Sequence, residues 1–251
     1  MKSTSRFALV LVAVVLVDLP TRANLLTATY ESQLEAWLGQ GNLTFTNIFT
    51  KSAGDDSRDF HSAVDGKGAT FTLMHVFGTG GDPGALFDLL PQVVGGYNPQ
   101  SWNSSGTWNY SPFDADRTAF LYNLSSGTIQ RQNLIGQVSG PDYGQIQTNN
   151  NLNAGPTFGA GYDLVAHFDL SHGYAANASY GGTSFGAEIT TGGPNFVYSW
   201  GEISRFYVLD LEVYTFIPAQ NNAVPDSEST IGLITLSLFG LVVLRRRFSR
   251  G

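Results

Sequence analysis

Residues 206–216 read FYVLDLEVYTF. Eleven residues of mostly aromatic and branched types, without Gly or Pro, describe a β-strand. Strict alternation puts Tyr207, Leu209, Leu211 and Val213 on one face. Phe206, Val208, Asp210, Glu212 and Tyr214 then share the other. Toward the N-terminus, four more stretches have the same composition: LTFTNIF (43–49), ATFTLMHVF (69–77), TAFLYNL (118–124) and YDLVAHFDL (162–170). Gly, Asn, Ser and Pro fill the intervals, as turns require. One helix is expected before them. Leu26, Tyr30, Leu34, Trp37 and Leu38 recur at helical spacing and Gly39 supplies a stop, so 27–38 reads as a short amphipathic helix. The pattern gives a mainly β chain with a few helices (α+β), folded as a two-sheet antiparallel β-sandwich.

The two ends have a different character. Lys2 and Arg6 precede an uninterrupted apolar run from Phe7 to Val17, and Thr21-Arg22-Ala23 offers small residues around a cleavage point. This three-part order predicts a signal peptide over residues 1–23, cut before Asn24 by signal peptidase. At the other end, residues 218–230 form a polar linker that carries Val224, Pro225, Asp226, Ser227 and Glu228. Residues 231–251 hold an apolar run (Ile231 to Leu244) and then Arg245, Arg246, Arg247 and Arg250. A basic cluster after an apolar run stays cytoplasmic, so the tail reads as a stop-transfer anchor helix. Fourteen helical residues reach only about 21 Å, and snorkelling arginines make up part of the missing length.

The body left between the ends, residues 24–217, is long enough for one well-buried domain. The whole chain has 13 basic and 20 acidic residues. The body keeps six basic and seventeen acidic ones, a charge of −11. Phosphate binding needs Lys and Arg, so nucleic acid is excluded as a partner. The chain has no Cys, which removes disulfides, thiolate metal sites and cysteine nucleophiles.

The tail resembles the PEP-CTERM family of sorting signals in its VPDSG variant, with Glu228 departing at the last motif position. The resemblance implies a Gram-negative bacterium and an exosortase-type sorting protease that reads the tail. It also implies export to the surface or the polysaccharide matrix. The body carries a further series: LEAWLG, FTKSAGDDSRDFH, VDGKGATFTLMHV, GGYNPQSWN, DADRTAFLYNL, GPTFGAGYDLVAHFDL and LDLEVYTF. In this order they resemble the TLDc domain over roughly 31–216. That resemblance implies a β-sandwich flanked by helices, and it implies oxidative-stress and proton-pump roles that are intracellular in eukaryotes. Gly78–Pro91 reads as an insertion, and residues 125–155 as longer loops than the family's.

Chemistry-bearing residues are sparse. Asp55, Asp59 and His61 are the only candidates for a metal site, set against an exposed acidic turn offset by Arg58. His75 and His167 fall inside expected strands. No GxSxG elbow accompanies Ser57, Ser62 and His61. Asp210 and Glu212 lie about 7 Å apart along one strand face, within the span of a glycosidase pair. Trp108 and Tyr110 are ligand-binding candidates in a Gly/Asn/Ser-rich stretch, whereas Tyr97 and Trp102 match family core positions. The expected function is therefore a non-catalytic surface module without a cofactor, its partner an extracellular polysaccharide or a surface protein. A carbohydrate-active or metal-dependent hydrolase and an oxidative-stress protein are the alternatives.

Overall fold

The computed structural model describes residues 24–78, 91–137, 140–176, 178–181 and 204–219. The expected signal peptide, most of the Gly78–Pro91 insertion, the sorting motif and the apolar tail lie outside them. The first element is α1 (Ala28–Leu38), capped by the Thr27 hydroxyl and closed by Gly39 at φ 72°. A left-handed residue at that position favours glycine, which has no Cβ to clash. Then follow β1 (Leu43–Thr50), α2 (Ser57–Val64), β2 (Thr70–Gly78) and β3 (Gln92–Asn98). The middle of the chain forms β4 (Trp108–Tyr110), β5 (Phe120–Asn123), β6 (Thr128–Arg131) and β7 (Ile146–Asn149). Last come β8 (Thr157–Phe158), β9 (Leu164–Ala166), β10 (His172–Ala175) and the 15-residue β11 (Ser204–Pro218).

All eleven described strands join one antiparallel sheet, in the order β4-β7-β8-β9-β10-β11-β2-β3-β5-β6 with β1 also on β11. The expected two sheets are thus two halves of one sheet that share β11. The long half consists of β1, β11, β2, β3, β5 and β6. The short half consists of β4 and β7 to β10. They fold onto a common core in which Met74, Val76, Val94 and Leu121 meet Phe158, Leu164 and Ala175. Gly96 shows how close the halves come, since a Cβ there would lie 2.6 Å from the Phe158 ring. The other face of the long half packs Phe71, Leu73, Phe120, Tyr122 and Tyr214 under α1, with Leu26 and Leu34 buried between.

β11 departs from simple alternation. Val208 pairs with Val76 and Asp210 with His75, so Leu209 is an extra residue in the ladder. Such a bulge reverses the facing of everything beyond it. Phe206 and Val208 therefore share their core with Leu211 and Val213. Glu212 and Tyr214 turn to the α1 side instead, which corrects the face assignment expected from sequence. Two further expectations change. Residues 162–170 give only the three-residue strand β9, because Tyr162 (φ 57°) and Leu170 (φ 50°) adopt left-handed conformations on either side. The acidic turn 55–59 is the start of α2: Asp56 and Asp59 form a reciprocal capping box.

Candidate functional site

On one edge of β11, its first four residues pair with β10 and its last seven with β1. Between these stretches the neighbours diverge. Their place is taken by single bonds: Val208 N–H donates to Ser171 O, Lys51 N–H to Leu211 O, and the buried Lys51 ammonium to Val208 O at 2.8 Å. A cleft of about 660 Å³ opens here, lined by Lys51, Asp55, Asp56, Phe168, Asp169 and Leu209 among others. Phe168 and Leu209 are exposed, and the Arg58 guanidinium lies 5.0 Å from the Phe168 ring centre. Each cleft carboxylate holds a local N–H: Asp55 that of Ser52, Asp56 that of Arg58, and Asp169 those of Ser171 and His172. Burial pushes the Asp169 carboxyl up, but these bonds and the His172 ring outweigh it and hold it below the usual range.

A second surface crosses the short half on the side away from the core. Trp108 on β4 stacks on Tyr162 at 6.0 Å and an interplanar angle of 26°. Tyr162 is 6.3 Å from Tyr174 on β10, and Tyr174 is 5.6 Å from His167. The four rings form a continuous row whose three aromatic members are half-buried and whose histidine is exposed. Tyr162 reaches the row through its left-handed backbone, an outlier for a bulky residue. Such strain persists where the surroundings enforce it, and it concentrates at functional sites.

Beneath the row lies Asp163, which is fully buried. Its Oδ2 accepts from the N–H groups of Ala178, Ser179 and Tyr180, and its Oδ1 has no hydrogen-bond partner. Burial pushes this carboxyl up to about 6, partly offset by those donors. Burial, then Tyr162 and Asp163, push the Tyr174 hydroxyl up to about 12. The phenol is therefore neutral at physiological pH.

The sequence-derived candidates are dispersed. Asp55 and Asp59 cap backbone N–H groups at the entrance to α2. His61 is buried, with Nδ1 on Asp65 at 2.8 Å and Nε2 facing the carbonyls of Asn151 and Ala154. The three side chains are committed to separate partners, and no metal-holding cluster occurs among the described residues. The Ser57 hydroxyl donates to Leu152 O rather than to His61. Asp210 pairs with His75 at 3.2 Å, and Glu212 is buried against Leu25 N–H and the Tyr214 hydroxyl. Neither carboxylate lines the cleft. His167 lies beyond β9, exposed and not inside a strand.

Trp108 is half-buried in the row, and Tyr110 is 51% exposed on the same strand. Tyr97 and Trp102 are core, as their family positions imply; the Trp102 indole N–H donates to the Thr70 hydroxyl. The sequence reading missed Tyr162 and Tyr174, and of the cleft residues it singled out only Asp55. The Tyr162 backbone is set by tertiary constraint, and Tyr174 sits in a four-residue strand too short for periodicity to reveal. Residues 146–149, expected as a surface loop, form β7, with Gln147, Thr148 and Asn149 buried, as is Asn150 just beyond it.

A β-sandwich of this form, followed by a terminal sorting motif, defines an exported surface module. The chain belongs to the TLDc domain family, whose model matches residues 21–217. The VPDSG-CTERM motif is matched over residues 223–248, so Glu228 does not remove the tail from that variant. No curated protein matches the chain. Among the described residues no helix is long and apolar enough to cross a membrane; the apolar run 231–244 lies outside them.

Proposed function

We propose that this protein is a non-catalytic binding module that holds a neutral extracellular polysaccharide at the surface of a Gram-negative bacterium. Signal peptidase removes residues 1–23, and an exosortase-type protease reads the motif at 224–228. The observation that carries the binding reading is the row Trp108–Tyr162–Tyr174–His167. Aromatic faces are apolar platforms with polar tips, suited to the mixed C–H and hydroxyl surface of sugar rings. The body charge of −11 favours an uncharged chain over an anionic one. The cleft carboxylates support the same reading by their engagement with local backbone, which leaves them poor candidates for general acid and base.

The test is affinity electrophoresis of the mature chain (residues 24–251, in detergent) through gels containing a neutral β-glucan, xyloglucan or galactomannan. An anionic alginate gel serves as the counter-probe. Retardation by a neutral glycan is expected, lost in Trp108→Ala and Tyr174→Ala. Equal mobility in every gel would sink the proposal, as would a Trp108→Ala variant retarded like the parent.

A further inference from the structure

Glu212 is a buried carboxylate, 6% exposed, in the middle of β11, beyond its bulge. Among the described residues no Lys, Arg or His nitrogen pairs with it. Its Oε2 accepts from Leu25 N–H at 2.9 Å and from the Tyr214 hydroxyl at 2.6 Å. The same hydroxyl contacts Asn24 Oδ1, which also accepts from Leu26 N–H. A phenol has a single proton, so it satisfies only one of these two oxygens at a time. The cluster of Glu212 Oε2, Tyr214 Oη and Asn24 Oδ1 is therefore rich in acceptors, and among the described residues no cation pairs with its carboxylate. Burial and then the neighbouring Glu212 push the Tyr214 hydroxyl above its ordinary range, partly offset by the Asn47 and Asn24 side chains. Buried charges are ordinarily paired, because leaving one alone is costly.

The missing cation has a source in the sequence. The expected signal cleavage falls before Asn24, and Asn24 N is one peptide unit from Leu25 N. By backbone dimensions it then lies no more than about 6.5 Å from Glu212 Oε2. We infer that cleavage at Ala23–Asn24 creates an α-ammonium group that pairs with Glu212, so that removal of the signal segment completes the fold. Water adds across the peptide bond: Ala23 leaves with a carboxylate, and Asn24 keeps an amine that is protonated at neutral pH. Opposite charges a few ångströms apart attract, and the buried Glu212 carboxylate is screened less than a surface one. Asn24 is pre-positioned for this by its own side chain, and Leu26 is buried directly behind it at 4% exposure. The inference rests on the cleavage position read from the sequence.

The test uses the mature chain, residues 24–251 in detergent, prepared with a free or an Nα-acetylated Asn24. Each form is made with Glu212 and with Glu212→Gln. Acetylation alone should lower Tm by roughly 3–6 °C, the shift expected for an interaction of this kind in a chain of this length. Glu212→Gln should lower it in the free form, and the two changes together should cost no more than one. An acetylated chain that melts with the free one overturns the inference, as do losses that simply add. If Glu212→Gln fails to fold, the acetylation comparison in the unmutated chain decides alone. Intact-mass measurement of the exported protein tests the cleavage position separately: a start other than Asn24 refutes the processing step even where the melting data uphold the pair.

Discussion

The two halves of the sheet are built by different rules. The long half has strands of up to 15 residues and buries mostly apolar side chains on both faces. The short half has strands of two to four residues. Too short to hold themselves, these strands are tied by buried polar groups. Asp163 gathers three N–H groups of residues 178–180. Gln147 bonds Asn98 and Ser111, and the buried Arg117 bridges Ser111 O, Asn133 O and Asp142. Hydrophobic burial is non-directional and gives the long half its bulk stability. Directed hydrogen bonds fix the position of the short half, and with it the aromatic row. The lesson is that the surface proposed to bind is carried by the part of the molecule where polar networks rather than apolar area set the geometry.

The sharpest way to break this comparison is at the seam. Trp102 is fully buried where α2, Phe60 and Phe158 meet. Trp102→Ala should cost about 3–5 kcal/mol in chemical denaturation, the usual price of an aromatic cavity. It should also loosen both halves together. A loss below 1 kcal/mol would show that the halves do not depend on a common core.

The next test concerns the network alone. Asp163 has its carboxyl raised from 3.8 to about 6, so the folded state holds its proton more tightly than the unfolded chain does. This contribution to stability is complete below about pH 4 and is lost as pH rises through about 6. At neutral pH the ionised group costs up to roughly 3 kcal/mol. Asp163→Asn keeps an acceptor for the three N–H groups and never ionises. The variant should therefore match the parent near pH 4 and exceed it in stability at pH 7. Denaturant midpoints of the two chains across pH 4–8 measure the difference; parallel curves would refute the assignment.

A smaller effect sharpens the contrast at the helices. α1 is held over an apolar face, whereas α2 begins with the Asp56 capping box beside the cleft. Asp56→Ala should cost about 1 kcal/mol and speed amide exchange in the first turn of α2. Exchange in α1 should not change. Equal protection in both variants would show that the cap is dispensable.

Much of the long half was legible in the sequence. β1, β2, β5 and β11 fall where aromatic and branched residues cluster, and α1 sits between its Thr cap and its Gly stop. The short half was less so: β9 was read but over-long, as 162–170, and β4, β7, β8 and β10, at two to four residues, contain too little alternation to register. Tyr162 illustrates the limit: its left-handed backbone is imposed by packing around it, and no local preference of tyrosine announces it. The α2 capping box was present as Asp56 and Asp59 ahead of Phe60, His61 and Val64. It was read as an exposed turn because eight residues give a weak periodic signal.

The sequence by itself determined the fold class, the acidic body and the family to which the chain belongs. Composition and residue order carry those properties without reference to distant contacts. Tertiary structure alone decided which way Glu212 faces. One extra residue, Leu209, reverses the pleat and turns the carboxylate from the shared core to the N-terminal segment at Asn24. Strand parity is a running count, so a single insertion in the ladder changes every position beyond it. Only the partner strand reveals where that insertion occurs.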